Sequence, residues 1–458
     1  MRFIHSISLT LAMSSYAVAA AGQSPPPREV TFAKDVAPIL QNHCQVCHRP
    51  NTFAPMSLLT YEEARPWARS IKAKVAAREM PPWFIDKTLG IQEYRNDVSL
   101  SDAEIETIVK WVDSGAPQGN VADMPPPSRF PDERQWQFGQ YGEPDLVVSL
   151  PKDYVMPGSG PDHWPSILID PKLTEDRYIA GIQVIPTKGY QSIHHIRTML
   201  IPPLRPGESE TESQQGEEAG IFLNEYAVGK GADLFSDSSA RLLKAGTKFN
   251  VTLHLHPNYS DQSGKATPVN VALGLKFHPK GYKPQHIALT DKVPYGAIDI
   301  RPGDPNARVD GYYRLLEPTR LLSWQPHMHN RGKYACILAL IPPVDDKTDG
   351  ITGLRSQRHE LRTLSCARFS FNWHLNYVYM DDSAPLLPAG TILQTIQWHD
   401  NSAANKNNTD PDAMVTRGDR TIDEMAGAWI SFHHMSEEEF KKEVDERKAH
   451  QHFVGSSR

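Results

Sequence analysis

From residue 145 to about residue 434 the sequence consists of short apolar runs separated by turn-forming residues. The runs include DLVVSL, YIAGIQVIP, TKFNVTLHLHP, VNVALGLKF and TILQTIQW, with clusters of Pro, Gly, Asp and Asn between them. Such runs are typical of antiparallel sandwiches and not of βαβ units, so this pattern constrains the fold more than any other feature. Because the stretch spans about 290 residues, which is long for one sandwich, we predict two, with the seam near residues 293–303.

The composition is consistent with a β-rich protein and excludes one class of partner. The chain has 38 prolines and 29 glycines, a content that favours short strands and turns over long helices. Its 48 basic and 54 acidic residues give a formal net charge of −6. A strongly basic balance, which is the usual signature of nucleic-acid binding, is absent, so we expect no nucleic-acid partner.

The first residues have the pattern of a secretory signal peptide. Arg2 precedes an apolar stretch over residues 3–17, and small residues offer cleavage sites ending at Ala19 or Ala21. No later segment has the roughly 20 consecutive apolar residues that a transmembrane helix needs. We therefore expect a protein that is exported to the periplasm or secreted and has no integral membrane segment.

The stretch QNHCQVCHRP, residues 41–50, combines two cysteines and a histidine in a C-x-x-C-H motif. Half of a zinc site and a redox dithiol are alternatives, but a complete zinc cage needs two further ligands at short spacing and no second C-x-x-C is present. In an exported chain, Cys44 and Cys47 can form thioethers to a haem while His48 binds its iron. The motif therefore predicts one covalent haem c.

The sequence on either side of this motif predicts two helices. An apolar stripe runs from Phe32 to Leu40, and Ser101 with Glu104 has the spacing of a capping box before a second amphipathic run. With its C-x-x-C-H motif, the region over residues 30–118 resembles a class I cytochrome c domain. The resemblance implies a methionine as the second axial ligand of the iron, and Met80 in REMPPW is the candidate, with Met56 as the alternative.

Three histidine pairs lie within the predicted strands. QSIHHIRTML contains adjacent histidines, and TLHLHPN and QPHMHNRGK each contain an alternating pair. An alternating pair on a strand directs both imidazoles to the same face of the sheet, where they can bind one metal ion. A single histidine is most often a structural polar group, but three pairs in β segments indicate metal binding.

With these motifs, residues 145–434 resemble the copper type II, ascorbate-dependent monooxygenases, the family of peptidylglycine α-hydroxylating monooxygenase and dopamine β-monooxygenase. The resemblance implies two jelly-roll-type sandwiches that hold one copper ion each. A three-histidine copper would store an electron, and a copper with a soft thioether ligand would activate O2. The resemblance favours His254 over His256, because in the family's strand apolar residues lead straight into one histidine. The implied copper ligands are His194, His195 and His254 in the first sandwich and His327, His329 and Met425, the catalytic set, in the second.

The two resemblances together imply an exported oxidoreductase. It would hydroxylate a C–H bond of an unknown small-molecule substrate with O2, and the fused haem would pass electrons from an exported redox partner to the coppers. Two alternatives stay open: an electron-transfer or redox-sensing protein, and a ligand-binding module in which the sandwiches catalyse nothing. The sequence does not identify the substrate.

The predicted fold class is a multidomain protein in which a small all-α cytochrome c domain precedes two all-β antiparallel sandwiches. The predicted boundaries are 1–21 for the signal peptide, 22–120 for the helical domain, 121–144 for a linker, 145–292 and 293–435 for the sandwiches, and 436–458 for a charged tail. Cys336 and Cys366 lie on two runs that could be neighbouring strands. In an oxidising compartment we expect them to form a disulfide, although two buried thiols are the alternative.

Overall fold

A computed structural model describes residues 28–50, 54, 56–130, 135–204, 220–227, 232–235, 239–258, 263–343, 359–418 and 420–455. The predicted signal peptide lies outside the described residues. No helix within these ranges is both long enough and apolar enough to cross a membrane.

The N-terminal part of the described chain forms a small helical unit. A π-helical turn over Phe32–Val36 leads into α1, and Ser101 starts α4 by accepting a hydrogen bond from the Glu104 N–H, which confirms the capping box. Apolar residues on the inner faces, Trp111 among them, form its core. The helices of this unit are α1 (Ala37–His43), α2 (Tyr61–Ala64), α3 (Ala68–Ala76) and α4 (Asp102–Asp113).

The N-terminal region is not a separate all-α domain, so the predicted fold class is wrong in this respect. Between α3 and α4 the chain forms strand β1 (Ile85–Gly90), which pairs with β18 (Glu360–Arg368) of the second sandwich. Trp83 and Tyr94 are buried in the core of that sandwich, and the Tyr94 hydroxyl lies 2.6 Å from the Ser365 hydroxyl. Because these large apolar rings need a core to cover them, the segment between the helices joins the β body.

The first sandwich consists of a four-stranded and a seven-stranded sheet. The smaller sheet has the order β4, β10, β6, β7, and the larger is built around β5 and β11. Their inward-facing Ile, Leu, Val and Phe side chains form one core. The strands are β2 (Leu146–Ser149), β3 (Tyr154–Met156), β4 (Ser166–Ile169), β5 (Arg177–Lys188), β6 (Ile193–Ile201), β7 (Ile221–Ala227), β8 (Asp233–Leu234), β9 (Ser239–Leu243), β10 (Lys248–Leu255), β11 (Thr267–Phe277) and β12 (His286–Ile287).

The second sandwich packs two five-stranded sheets face to face. One has the order β1, β18, β17, β21, β15, and the other is built around β16 and β23. Strands β14 and β22 form a separate small ribbon, and helix α5 (Glu437–Gly455) follows. The strands are β13 (Leu289–Val293), β14 (Asp299–Ile300), β15 (Ala307–Arg314), β16 (Thr319–Met328), β17 (Gly332–Ile341), β18 (Glu360–Arg368), β19 (Tyr377–Val378), β20 (Leu386–Leu387), β21 (Ile392–His399), β22 (Val415–Thr416) and β23 (Ala426–His434).

Cys336 and Cys366 form a disulfide, as expected. They lie directly opposite each other on the paired strands β17 and β18, and the bond links positions 30 residues apart. The register of the two strands therefore brings the two sulfur atoms together.

Candidate functional site

Three histidines of the first sandwich meet at one point on the paired strands β6 and β10. His254 lies opposite His195, and the next residue, Leu255, lies opposite Ile193. His194 is therefore the extra residue of a β-bulge. Neighbouring residues of a regular strand point to opposite faces, whereas a bulge redirects a side chain. The bulge explains how two adjacent histidines turn their rings toward the same point as His254, and we call the three residues the histidine triad.

The ring nitrogens of the histidine triad form a small triangle. The Nδ1 atoms of His194 and His254 are 3.0 Å apart, those of His194 and His195 are 3.2 Å apart, and those of His195 and His254 are 3.3 Å apart. Each imidazole nitrogen is either a donor or an acceptor. Three nitrogens in mutual contact therefore always include two of the same kind, and these two repel each other.

A bound metal ion would remove this conflict. Two nitrogens that bind one Zn²⁺ at about 2.0–2.1 Å with tetrahedral geometry lie about 3.3 Å apart, close to the three separations in the triangle. The three ligand atoms would occupy one side of the ion and leave a fourth position open. In the described part of the chain, no other group of three His, Cys, Asp or Glu side chains brings its ligand atoms within 4.8 Å of one another.

Two neighbouring side chains hold the ring of His254 in place. Its Nε2 atom lies 2.8 Å from a carboxylate oxygen of Asp162, and the indole of Trp164 stacks on the ring at a centroid distance of 3.6 Å. A carboxylate on the far nitrogen of a metal-binding histidine fixes its tautomer and makes the near nitrogen a better ligand. The arrangement around His254 is therefore that of a metal ligand with its supporting carboxylate.

The electrostatics of the histidine triad also favour metal binding. Burial disfavours the imidazolium, and with the nearby His254 it lowers the pKa of His194 to about 4. The same cause lowers the pKa of the buried His195 far below its ordinary value. Both rings are uncharged at neutral pH, so their nitrogen lone pairs are available to an ion. His256 is oriented differently, because its Nδ1 lies 2.8 Å from the carbonyl oxygen of Pro257.

The histidine pair of QPHMHNRGK lies across from His195 of the triad in a cavity of about 60 Å³ between the sandwiches, which we call the histidine cavity. His327 on β16 and His329 just after it line the cavity, together with His195 and with His374 from the loop after β18. The ring centroid of His374 lies 5.1 Å from that of His195 and 5.3 Å from that of His327. Histidines from both sandwiches thus form a continuous row.

Met425 is 2% exposed and lines the same cavity. The preceding residue, Glu424, is fully buried and accepts hydrogen bonds from the N–H groups of His329, at 2.9 Å, and Arg331, at 2.7 Å. Burial raises the pKa of this carboxyl group to about 7. Glu424 therefore ties the end of β16 to the start of β23 and holds His329 and Met425 on one wall.

The C-x-x-C-H residues lie in the helical unit, away from these histidines. Cys44 and Cys47 are in the turn after α1, and Cys44 and Met56 pack against the helical core. His48 Nδ1 lies 3.2 Å from the carbonyl oxygen of Met56. Met80 instead lines a groove of about 490 Å³ between the helical unit and the second sandwich.

Sequence reasoning missed three residues of the site: His374, Asp162 and Trp164. His374 is a lone histidine in SFNWHLNY, and an isolated histidine carries no spacing signal. Asp162 and Trp164 lie in the loop before β4, and the pairing of β4 and of His163 with β10 brings this loop beside the histidine triad. No local pattern in the sequence could have identified them.

Comparison with known proteins identifies no family for this chain. No family model matches, and no curated protein matches. Solved structures with some similarity are the major capsid protein P2 from Bacteriophage PM2, PBCV-1 VP54 fitted into a reconstruction of the virophage Sputnik, and infectious bursal disease virus of the Gx strain. In this order, their sequence identities to this chain are 10%, 10% and 9%, and their TM-scores are 0.26, 0.19 and 0.15. The matched regions cover 63%, 63% and 64% of this chain and 96%, 92% and 73% of the other chain. At these TM-scores the similarity supports no functional conclusion.

These findings overturn the identity expected from the sequence. Neither a family model nor a curated protein matches to support a cytochrome c domain fused to a copper monooxygenase module. The prediction of one covalent haem c, made from the C-x-x-C-H motif, is withdrawn as well, because the region is not a separate helical cytochrome domain and contributes β1 to the second sandwich. The prediction of two coppers and of O2-dependent hydroxylation is withdrawn with the family that implied it.

Proposed function

We propose that this protein binds one divalent transition-metal ion through the histidine triad. The observation that carries the proposal is the triangle of Nδ1 atoms, whose sides of 3.0, 3.2 and 3.3 Å suit three ligands of one ion. Imidazole is a good ligand for zinc and for several other first-row ions. Zn²⁺ is the ion of choice for a first test because its tetrahedral preference matches the triangle.

The open fourth position supports a catalytic role over a structural one. Structural zinc sites are closed by four protein ligands, whereas catalytic sites use three and keep one position for water or substrate. His195 belongs both to the histidine triad and to the wall of the histidine cavity. We infer a metal-dependent enzyme in which the ion would act as a Lewis acid toward a small molecule bound at its open position.

The compartment is part of the same proposal. The Cys336–Cys366 disulfide fits an oxidising environment, because such bonds rarely persist in the cytosol. The signal-peptide pattern of residues 1–21 points the same way. We therefore propose that the protein works in the periplasm or outside the cell.

Metal analysis tests the proposal. After dialysis against Zn²⁺ and then against buffer, the protein should retain one ion per chain, and His195→Ala should retain none. His256→Ala is the matched control, because His256 is on the same stretch of chain but outside the triangle, and it should bind zinc as the parent does. Equal retention by the parent and by His195→Ala would rule out the site.

Cobalt substitution tests the open position. Tetrahedral Co²⁺ has strong visible absorption, and azide should change this spectrum if one position is exchangeable. A spectrum that azide leaves unchanged would contradict the catalytic role while leaving metal binding intact.

A further inference from the structure

A second cavity lies between the two sandwiches, separate from the histidine cavity. Its volume is about 350 Å³, and β7, β9, β13, β16 and β23 all contribute to its wall. Small-molecule sites typically enclose roughly 300–1,000 Å³ and often lie at domain interfaces. We call it the Arg241 cavity, after the most deeply buried of its cationic residues.

Arg241 is only 5% exposed, and all its hydrogen-bond partners are uncharged. Its Nη1 atom donates to the carbonyl oxygen of Ala288 at 3.3 Å and to the hydroxyl of Thr290 at 2.9 Å, and its Nη2 atom donates to the carbonyl oxygen of Phe222 at 2.8 Å. A guanidinium group has five N–H donors, so these bonds leave two of them uncommitted. Among the described residues, Arg241 forms no ion pair.

The other two arginines of the Arg241 cavity already have acidic partners. Arg95 pairs with Asp381, and Arg320 pairs with Glu443 at 3.0 Å. Asp291 acts on Arg241 electrostatically, but its carboxylate accepts a hydrogen bond from the Tyr313 hydroxyl. A buried charge is costly unless it is paired. Of the two carboxylates on the wall, Asp381 pairs with Arg95 and Asp233 accepts a hydrogen bond from the Asn224 amide, so the charge of Arg241 is the one that an anion would stabilise.

The apolar residues of the cavity wall favour an anion that also has a hydrocarbon part. Phe222, Leu223 and Phe235 line the cavity from the first sandwich, and Leu289 and Leu322 line it from the second. From this combination we propose that the Arg241 cavity binds a small organic carboxylate, whose carboxylate oxygens accept from the two uncommitted N–H groups of Arg241 and whose hydrocarbon chain or ring packs between the sandwiches.

The Arg241 cavity shares part of its wall with the histidine cavity. Phe222 and Gln325 line both, and the Gln325 amide donates to Glu225, which belongs to the histidine cavity. A ligand in the Arg241 cavity would therefore contact the partition between the two cavities. The proposed carboxylate site does not depend on metal binding, and each can fail without the other.

Calorimetric titration with octanoate and with octanamide tests this inference. The two probes share one hydrocarbon chain and differ in charge. Octanoate can form an ion pair with Arg241 and accept two parallel hydrogen bonds from it, which octanamide cannot, so octanoate should bind about tenfold more tightly or better. Equal affinities, or no binding of octanoate, would overturn the proposal, and this comparison requires no variant.

Two variants assign the binding to the cavity. Arg241→Met should weaken octanoate binding at least about tenfold and octanamide binding less, whereas Arg177→Met, a control on the neighbouring strand β5 that does not line the cavity, should leave both unchanged. Leu322→Trp should block both probes by filling the cavity, which keeps the assignment testable if Arg241→Met does not fold. Octanoate binding that survives both Arg241→Met and Leu322→Trp would refute the assignment.

Discussion

The support that Asp162 gives to His254 provides a graded test of the proposed metal centre. Replacing a carboxylate that hydrogen-bonds a metal-binding histidine typically costs about 10–100-fold in metal affinity. The side chain of Asp162 is 45% exposed, so solvent screens its charge and the effect should be at the lower end of this range. Trp164 still stacks on the ring and limits its rotation. We expect Asp162→Asn to weaken Zn²⁺ binding about tenfold, because the amide keeps an acceptor but loses the charge.

Two further variants give larger losses of zinc affinity with which Asp162→Asn can be compared. Asp162→Ala removes the acceptor as well, so its loss should approach about hundredfold. Loss of a direct ligand should cost more. The binding free energy of structural zinc sites is roughly 10–16 kcal/mol for four ligands, or about 2.5–4 kcal/mol for each ligand. Loss of one ligand would therefore lower the zinc affinity about 70–900-fold. His254→Ala should therefore weaken binding more than either change at Asp162.

Competition with a chromophoric zinc chelator measures these affinities at pH 7. Asp153→Asn is the control, because Asp153 pairs with Lys188 and Asn270 on the same sandwich but contacts no histidine of the triad. The expected order of affinity is the parent and Asp153→Asn, then Asp162→Asn, then Asp162→Ala, then His254→Ala. If Asp162→Ala bound Zn²⁺ as tightly as the parent, the supporting role of Asp162 would be refuted, and equal affinity for His254→Ala would refute the triad itself.

Three predictions concern the stability of the chain. Replacing both Cys336 and Cys366 with Ser should lower the free energy of unfolding by about 3.5 kcal/mol, the value for a loop of this length, and urea titration of the metal-free protein should show it. Trp83→Ala should cost about 3–5 kcal/mol in the same assay, and a loss below 1 kcal/mol would contradict the docking of the N-terminal segment. Burial lowers the pKa of His433 to about 3, so the unfolded chain binds a proton that the folded chain does not. Stability should therefore fall as the pH drops from about 6.5 toward 3, and the urea midpoint of His433→Phe should fall less between pH 7 and pH 4.5 than that of the parent.

Much of the local structure was evident in the sequence. The runs after residue 145 form strands because their apolar residues need one buried face, and the Ser101 and Glu104 pair starts a helix because its side chains satisfy backbone N–H groups within the first turn. His194, His195 and His254 could be recognised as candidates because they cluster within predicted strands. The Cys336–Cys366 disulfide could be expected because the two cysteines lie on apolar runs that were predicted to form neighbouring strands.

The tertiary structure decided what the local pattern could not. Tyr94 bonds to Ser365, 271 positions away, because the core of the second sandwich covers its ring, and no periodicity reports such a distant partner. The bulge that directs His194 toward His254 depends on the register of two strands about 60 residues apart. His374 reaches the site only because the two sandwiches meet. Spacing along the chain specifies which residues share a face, whereas long-range burial and strand register specify which faces meet, and the candidate site depends on both.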